Sequence, residues 1–164
     1  MIAAIIVLYH QSVEEVMQRI SGWMGEVGYI LLVDNTEGLP VGRKVLSERV
    51  DYSAFGENRG IAFALNYGME ECIRRGFRWV LTMDQDSSFV TSLKPYKDLI
   101  ASSEAERVGL FCPLYEIGGV LVKSPEKRVL QSGSLVNVDC RKLVGGYEER
   151  YFIDYVDYDY CARL

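Results

Sequence analysis

The chain opens on an unbroken apolar run, Ile2-Ala3-Ala4-Ile5-Ile6-Val7-Leu8, and Tyr29-Ile30-Leu31-Leu32-Val33, Trp79-Val80-Leu81-Thr82-Met83 and the shorter Val108–Cys112 repeat its texture. Runs of this length between turn formers predict strands buried on both faces. Between them the spacing becomes helical. Ser12-Val13-Glu14-Glu15 has the form of a capping box, and Val13, Val16, Met17 and Ile20 follow at i, i+3, i+4 and i+7. From Ile61, the residues Leu65, Met69, Cys72 and Ile73 form one stripe that ends on Arg74-Arg75 and stops at Gly76, the charge and the glycine a helix C-terminus prefers. Ser92 is the expected N-cap of a helix through Leu99-Ile100, and a weaker strand is expected near residues 44–49. Strands alternating with helices predict an α/β fold, with a Rossmann-like, mostly parallel sheet covered on both faces.

From Pro113 the texture changes. Tyr115–Leu121, Arg128–Gln131 and Ser134–Val138 read as short extended pieces, separated by Gly118-Gly119, Ser124-Pro125 and Ser132-Gly133, and more antiparallel than doubly wound. The segment from Tyr151 reads as the start of a helix with no stop signal, so the domain is expected to continue beyond Leu164. The organisation expected is one domain over residues 1–164, with a nucleotide-binding half over about 1–112 and an incomplete second half over 113–164.

Composition narrows the function. At 164 residues the chain can bury a real core, and a net charge of −5 argues against a broad nucleic-acid footprint. The opening apolar run is too short to span a bilayer and lacks a basic leader, so neither a membrane span nor an export signal is expected. Cys72, Cys112, Cys140 and Cys161 are widely spaced, which fits reduced thiols in the cytoplasm, and with His10 as the single histidine zinc is disfavoured.

The candidate chemistry gathers at predicted strand ends. Asp84-Gln85-Asp86-Ser87 follows a core strand, placing two carboxylates at a C-terminal edge, where open α/β sheets bind ligands. Such a pair suits Mg²⁺ or Mn²⁺ bridging to phosphates, hence a nucleoside-diphosphate site. Asp34 closes an earlier strand and is expected on the same side, as a partner for a base or ribose. Tyr9-His10 ends strand one at that rim, either packing or stacking on a base. Asn58-Arg59-Gly60 opens the Ile61 helix, either as a plain cap or as a phosphate-facing entry with exposed amide donors. Asn66, mediocre in a helix, is expected to tie loops together through its amide. Ser132-Gly133-Ser134 and Gly145-Gly146-Tyr147 are turns or places of close ligand approach. Of the acids Asp154, Asp157 and Asp159, the last meets Arg163 at i+4 on a helix starting near Val156, which leaves Asp157 as the candidate general base.

Taken in order, Val7-Leu8-Tyr9-His10, Val33-Asp34-Asn35, Asn58-x-Gly60-Ile61-Ala62-x-Ala64-Leu65-Asn66-x-Gly68, Asp84-Gln85-Asp86-Ser87, Ser132-Gly133-Ser134 and Gly145-Gly146-Tyr147 through Phe152-Ile153-Asp154-Tyr155-Val156-Asp157-x-Asp159 resemble the family 2 glycosyltransferases, most closely the rhamnosyltransferase-like branch. The resemblance implies a GT-A fold, C-terminally truncated here, and an inverting hexosyltransferase. It implies nucleotide contacts at Tyr9, His10, Asp34, Asn58, Arg59 and Asp84, and Mg²⁺ or Mn²⁺ at Asp84 and Asp86. Donor-sugar and acceptor contacts fall at Ser132, Gly133, Gly146 and Asp154, and the base at Asp157, with Asp154 as its rival. The implied partners are a dTDP- or UDP-sugar, with rhamnose favoured, and a glycan or lipid-linked glycan acceptor in cell-surface polysaccharide synthesis. A full-length form would meet the membrane only peripherally. The alternatives are a nucleotidyltransferase, which wants a glycine-rich basic loop after strand one, and a non-catalytic nucleotide-sugar-binding module.

Overall fold

The computed structural model describes residues 1–124 and 129–164. Four parallel strands form the centre of a seven-stranded sheet: β1 (Ile2–Leu8), β2 (Tyr29–Asp34), β4 (Val50–Ala54) and β5 (Trp79–Asp84). The edge strand β3 (Gly42–Ser47) runs antiparallel to β4, and on the other side β9 (Ser134–Asn137) and β6 (Leu110–Phe111) complete the order β3-β4-β2-β1-β5-β9-β6. The expected parallel core is present, and β9, contributed by the second half, lies between β5 and β6 of the first. The glycine-turned hairpin of β7 (Leu114–Ile117) and β8 (Val120–Lys123) stands apart as a two-stranded sheet. Pro125 and Arg128, part of two expected features, lie outside the described residues.

Successive β1 side chains feed opposite layers, as strand geometry requires. Ala4, Ile6 and Leu8 join a cluster containing Val16 and Ile20 of α1 (Val13–Ile20) and Tyr96 of α3 (Lys94–Ile100). Ala3 and Ile5 join Leu65, Met69 and Cys72 of α2 (Ile61–Arg74) and Tyr160 of α5 (Val156–Arg163). Helix α2 lies so close that a Cβ on Gly68 would sit 2.7 Å from Ile5 Cδ1. Ser12 caps α1, its Oγ accepting the Glu15 N–H at 3.2 Å. Ser92 stands one residue before the α3 cap position, Leu93, and accepts the Lys94 N–H at 3.4 Å.

Two elements depart from the sequence expectation. The strand near 44–49 is the wholly exposed β3, and the buried member of that hairpin is the unanticipated β4. Its charged residue Asp51 is 4% exposed because Oδ2 accepts from Arg43 at 2.5 Å, Arg75 at 2.6 Å and the Tyr29 hydroxyl at 3.0 Å. Helix α4 (Val138–Val144) follows β9 directly, capped by Asn137 Oδ1, which accepts the Asp139 N–H at 3.1 Å.

Burial alone would raise the Asp51 pKa, but the Arg43 and Tyr29 bonds outweigh it and hold the carboxyl below its ordinary value. A depressed folded-state pKa contributes stability that is full above about pH 4 and lost as pH falls through the folded value. Asp51→Ala is expected to cost about 2 kcal/mol at neutral pH, in denaturant unfolding, because it removes the carboxylate that Arg75 and the Tyr29 hydroxyl use, while Arg43 keeps Glu71. That cost should shrink below pH 4.

Candidate functional site

The carboxyl ends of the central strands are level. In register, Leu8 faces Asp34, Val7 faces Asp84, and Asp34 faces Ala54. The chain leaves β1 for β2 on one side and reaches β5 on the other, so Asp34 and Asp84 flank the end of β1 at the switch point of the sheet. Gln85 prolongs the β1–β5 pairing with its side chain, its Oε1 accepting the Tyr9 N–H at 2.7 Å and its Nε2 donating to the Tyr9 carbonyl at 3.1 Å. Arg19 donates to the Gln85 carbonyl and Ser88 donates to the Arg19 carbonyl at 3.2 Å, tying this turn to α1.

Asp84 is half-buried. Its N–H donates to Ser132 Oγ at 3.1 Å, and its Oδ1 accepts from Gln131 Nε2 at 2.6 Å. The loop carrying Ser132 is held from three sides: Gly133 N–H donates to Thr82 O at 2.7 Å, Tyr96 donates to Gly133 O at 2.6 Å, and Tyr115 donates to Ser132 O at 3.0 Å. Gly133 has φ +78°, and a Cβ there would lie 2.8 Å from Pro113 Cγ. Burial pushes the Asp84 carboxyl above its ordinary pKa, the Gln131 amide opposes this, and the charges of Asp86 and Asp157 push it further up. Asp86 is exposed and accepts no hydrogen bond among the described residues. Three acids therefore share one field.

On the β2 side, Asp34 reaches the predicted rim but is 3% exposed and internally engaged. Oδ1 accepts the Thr36 N–H at 2.9 Å and Oδ2 the Tyr52 hydroxyl at 2.9 Å. Its neighbour Asn35 donates from Nδ2 to Gly60 O at 3.0 Å and leaves Oδ1 buried without a partner among the described residues. Tyr9 and His10 are exposed, their rings meeting edge to face at 4.3 Å. Tyr9 donates to Glu37 Oε1 at 3.1 Å, and His10 Nε2 lies 3.3 Å from Glu37 Oε2. His10 takes φ +50°.

At the entry of α2 the Ile61 N–H donates to Phe152 O at 2.9 Å, and a Cβ on Gly60 would meet that oxygen at 2.7 Å. Asn58 acts as a local cap, its Oδ1 accepting the Gly60 N–H at 3.0 Å. Arg59 stacks 3.5 Å from the Phe63 ring centroid and pairs with Glu57 at 3.6 Å. Asn66 ties loops together as expected: Nδ2 donates to Tyr147 O at 2.8 Å and Oδ1 accepts the Tyr147 N–H at 2.8 Å. Gly146 fits only because it is glycine, as a Cβ would lie 2.6 Å from Asn66 Oδ1. Its place is thus packing against α2.

Helix α5 begins after Tyr155, at φ +68°, and Asp159 accepts from Arg163 at 2.7 Å, leaving Asp157 separate. Asp157 is half-buried, accepts the Tyr158 N–H at 2.9 Å, and lines a cavity of about 10 Å³ with Gln131, Tyr147 and Tyr160. Asp154 is exposed and makes no hydrogen bond among the described residues. A cavity of about 390 Å³ lies by Ile30 and Val50, at the opposite end of the sheet from these acids.

The chain is 28% identical to the dTDP-rhamnosyl transferase RfbF of Shigella flexneri over an alignment of 184 residues, covering 99% of this chain and 62% of that protein. No protein-family model matches. Among solved structures it is similar to the S. aureus TarS, with TM-score 0.65 and 11% identity, covering 99% of this chain and 33% of that one. It is also similar to the mannosyltransferase PcManGT from Pyrobaculum calidifontis in complex with GDP-Man and Mn²⁺, with TM-score 0.59 and 13% identity, covering 90% and 47%. The fold is that of the GT-A glycosyltransferases. This chain spans about three-fifths of its curated relative's length.

Within this GT-A frame the acidic edge fits a hard divalent cation. Asp86 is unengaged, Asp84 keeps Oδ2 free, and no basic side chain hydrogen-bonds to either among the described residues. No group of three or more His, Cys, Asp or Glu gathers at metal distance among those residues; a divalent cation held by Asp84 and Asp86 would take its other ligands from water or phosphate. The residue that sequence reasoning missed is Gln131, which reaches Asp84 across 47 positions of sequence. No local pattern marks it, because the contact is created by β9 lying next to β5.

Proposed function

We propose that this chain carries the donor site and base of an inverting glycosyltransferase, moving a sugar, rhamnose first, from a dTDP- or UDP-sugar to a glycan or lipid-linked glycan acceptor in cell-surface polysaccharide synthesis. The observation that carries this reading is the place of Asp84 and Asp86 at the carboxyl end of β5, beside the end of β1 at the switch point of a GT-A sheet, with Asp84 hydrogen-bonded to Gln131 and Asp157 lining the same cavity as Gln131. Tyr9, His10, Asp34, Asn58 and Arg59 border the nucleotide side, with Asp34 shaping the base pocket through Tyr52 and Thr36. Ser132 and Gly133 face the donor sugar, and Asp154 and Gly146 border the acceptor side.

Asp84 and Asp86 would hold Mg²⁺ or Mn²⁺, which when bound supplies positive charge against the departing diphosphate. Asp157 takes the proton of the acceptor hydroxyl, whose oxygen attacks the anomeric carbon from the face opposite the diphosphate. One displacement inverts the configuration. The Ser132 and Gln131 bonds fix Asp84 before substrate arrives, so that little reorganisation is left for the reaction. Four free cysteines support a cytoplasmic location, and no helix among the described residues is long and apolar enough to cross a membrane.

Calorimetry with Mn²⁺ and either dTDP or UDP, followed by donor turnover, tests the reading. Binding at least about tenfold tighter with metal, together with sugar transfer, is the expected result. Binding without transfer or donor hydrolysis would identify a nucleotide-sugar-binding module instead, and no binding of either nucleotide would sink both.

A further inference from the structure

The stretch that carries Asp157 is aromatic on its outside. Tyr155 is 65% exposed and Tyr158 38% exposed, and their ring centroids lie 6.2 Å apart at an interplanar angle of 73°, so the two rings form an open corner. Tyr151 extends it, 6.5 Å from Tyr155 at 47°. Rings that serve packing alone belong inside, as Tyr147 and Tyr160 of the same stretch do, with centroids 4.3 Å apart in the core.

Tyr155 also holds a backbone conformation that its side chain disfavours. Its φ of +68° is left-handed, a region that glycine and asparagine enter with ease and a bulky residue does not. Among the described residues the only other non-glycine at positive φ is His10, on the nucleotide side of the proposed site. Standing just before the first turn of α5, Tyr155 makes no side-chain cap, so capping does not offset the strain and a mostly exposed ring offsets little of it. The corner is nonetheless held in place. Phe152 O accepts the Ile61 N–H at 2.9 Å before it, and Tyr155 O accepts the Asp159 N–H at 2.9 Å after it. A platform fixed in advance loses little freedom when a ligand covers it.

We infer that the corner of Tyr155 and Tyr158 is a carbohydrate subsite, on which a neutral pyranose ring of the acceptor lies with its C–H face against the Tyr155 ring. The inference rests on the proposed function, in which Asp157, between these two tyrosines in the chain, takes the acceptor's proton. Aromatic rings carry negative faces and the C–H groups of a sugar are weakly positive, so stacking suits a neutral polyol. The local charge disfavours other occupants. Residues 147–160 hold five acids and one basic residue, Arg150, which is already 3.7 Å from Glu148 and 5.3 Å from the Tyr151 ring centroid. Such a surface repels an anionic lipid headgroup or a phosphate. A quaternary ammonium suits the charges, but two rings meeting at 73° leave most of it open to water, whereas a flat sugar face needs only one ring.

NMR titration with methyl α-L-rhamnopyranoside or methyl β-D-glucopyranoside, in Mg²⁺ and UDP, tests the corner. Shifts of the Tyr155 and Tyr158 ring signals are expected with at least one of the two, and ring signals indifferent to both would overturn the inference. Tyr155→Asn is expected to weaken that binding at least about fivefold with a melting temperature unchanged or higher, because asparagine enters the left-handed region more readily. Tyr155→Phe keeps the ring and is expected to bind within about twofold of wild type. Undiminished binding by Tyr155→Asn, or an equal loss in both variants, contradicts stacking. A Tyr155→Asn protein that melts several degrees lower does so too, since the ring would then serve the fold. Ring shifts with tetramethylammonium chloride in place of the glycosides would make the corner a cation site. Tyr155-dependent pelleting with vesicles of about three parts phosphatidylcholine to one part phosphatidylglycerol, in place of glycoside binding, would make it a membrane contact. Either result overturns the inference. An intact glycoside response with no binding of dTDP or UDP in Mn²⁺ would instead fault the parent reading and leave the subsite standing.

Discussion

Asp157→Asn should lower the rate of sugar transfer by about 10³-fold while leaving the Mn²⁺-dependent nucleotide Kd within about threefold. The substitution removes one carboxylate charge and little else. Asp157 accepts the Tyr158 N–H at 2.9 Å, a bond that an asparagine oxygen can also take, so the first turn of α5 is expected to stay folded. Nucleotide affinity should survive because Asp157 stands on α5, beside the Gln131 cavity, whereas the carboxylate pair lies at the β5 edge. Asp154→Asn is the matched control. Its side chain is exposed and makes no hydrogen bond among the described residues, so a change below about threefold is expected. Steady-state transfer assays on both variants decide the assignment, and a large loss in Asp154→Asn with none in Asp157→Asn would reverse it.

Asp86→Asn is expected to weaken nucleoside-diphosphate binding by about 100-fold in Mn²⁺ and by much less in EDTA. Asp86 is exposed and unengaged, so its loss should disturb neither the sheet nor the Ser132 loop, and a melting temperature within a few degrees of wild type is expected. The contrast between the two buffers is the diagnostic. A carboxylate that merely shaped the turn would lower affinity equally with and without metal, and that pattern in calorimetry would remove Asp86 from the cation site.

The strands β1, β2 and β5 and helix α2 are legible because their signals are local: apolar runs of strand length, a stripe at helical spacing and a glycine stop. Strand β4 is not, since a charge in its middle breaks the apolar run, and only Arg43 and Arg75, brought from β3 and the end of α2, make Asp51 compatible with burial. The meeting of Asp84 and Asp86 at a strand end follows from the sequence for the same local reason. The engagement of Asp34 does not, because it depends on Tyr52 from the strand that was missed. Asn66 could be read as a tie from its poor helix propensity, although its partner Tyr147, 81 positions away, could not be named from that fact alone. The tie at the entry of α2 was hidden likewise, because the oxygen that accepts the Ile61 N–H belongs to Phe152, 91 positions on.

That tie at Ile61, together with Asn66, makes α2 a common strut. Its first turn grips the backbone of the segment that leads to Asp157, and its second grips the loop just before it. The position of Asp157 relative to the ends of β1, β2 and β5 is therefore set by α2. A chimera that borrows residues 145–164 from a homologue would have to carry matching α2 residues along, Gly60 and Asn66 first, or the transplanted Asp157 would arrive out of line with Asp84 and Asp86.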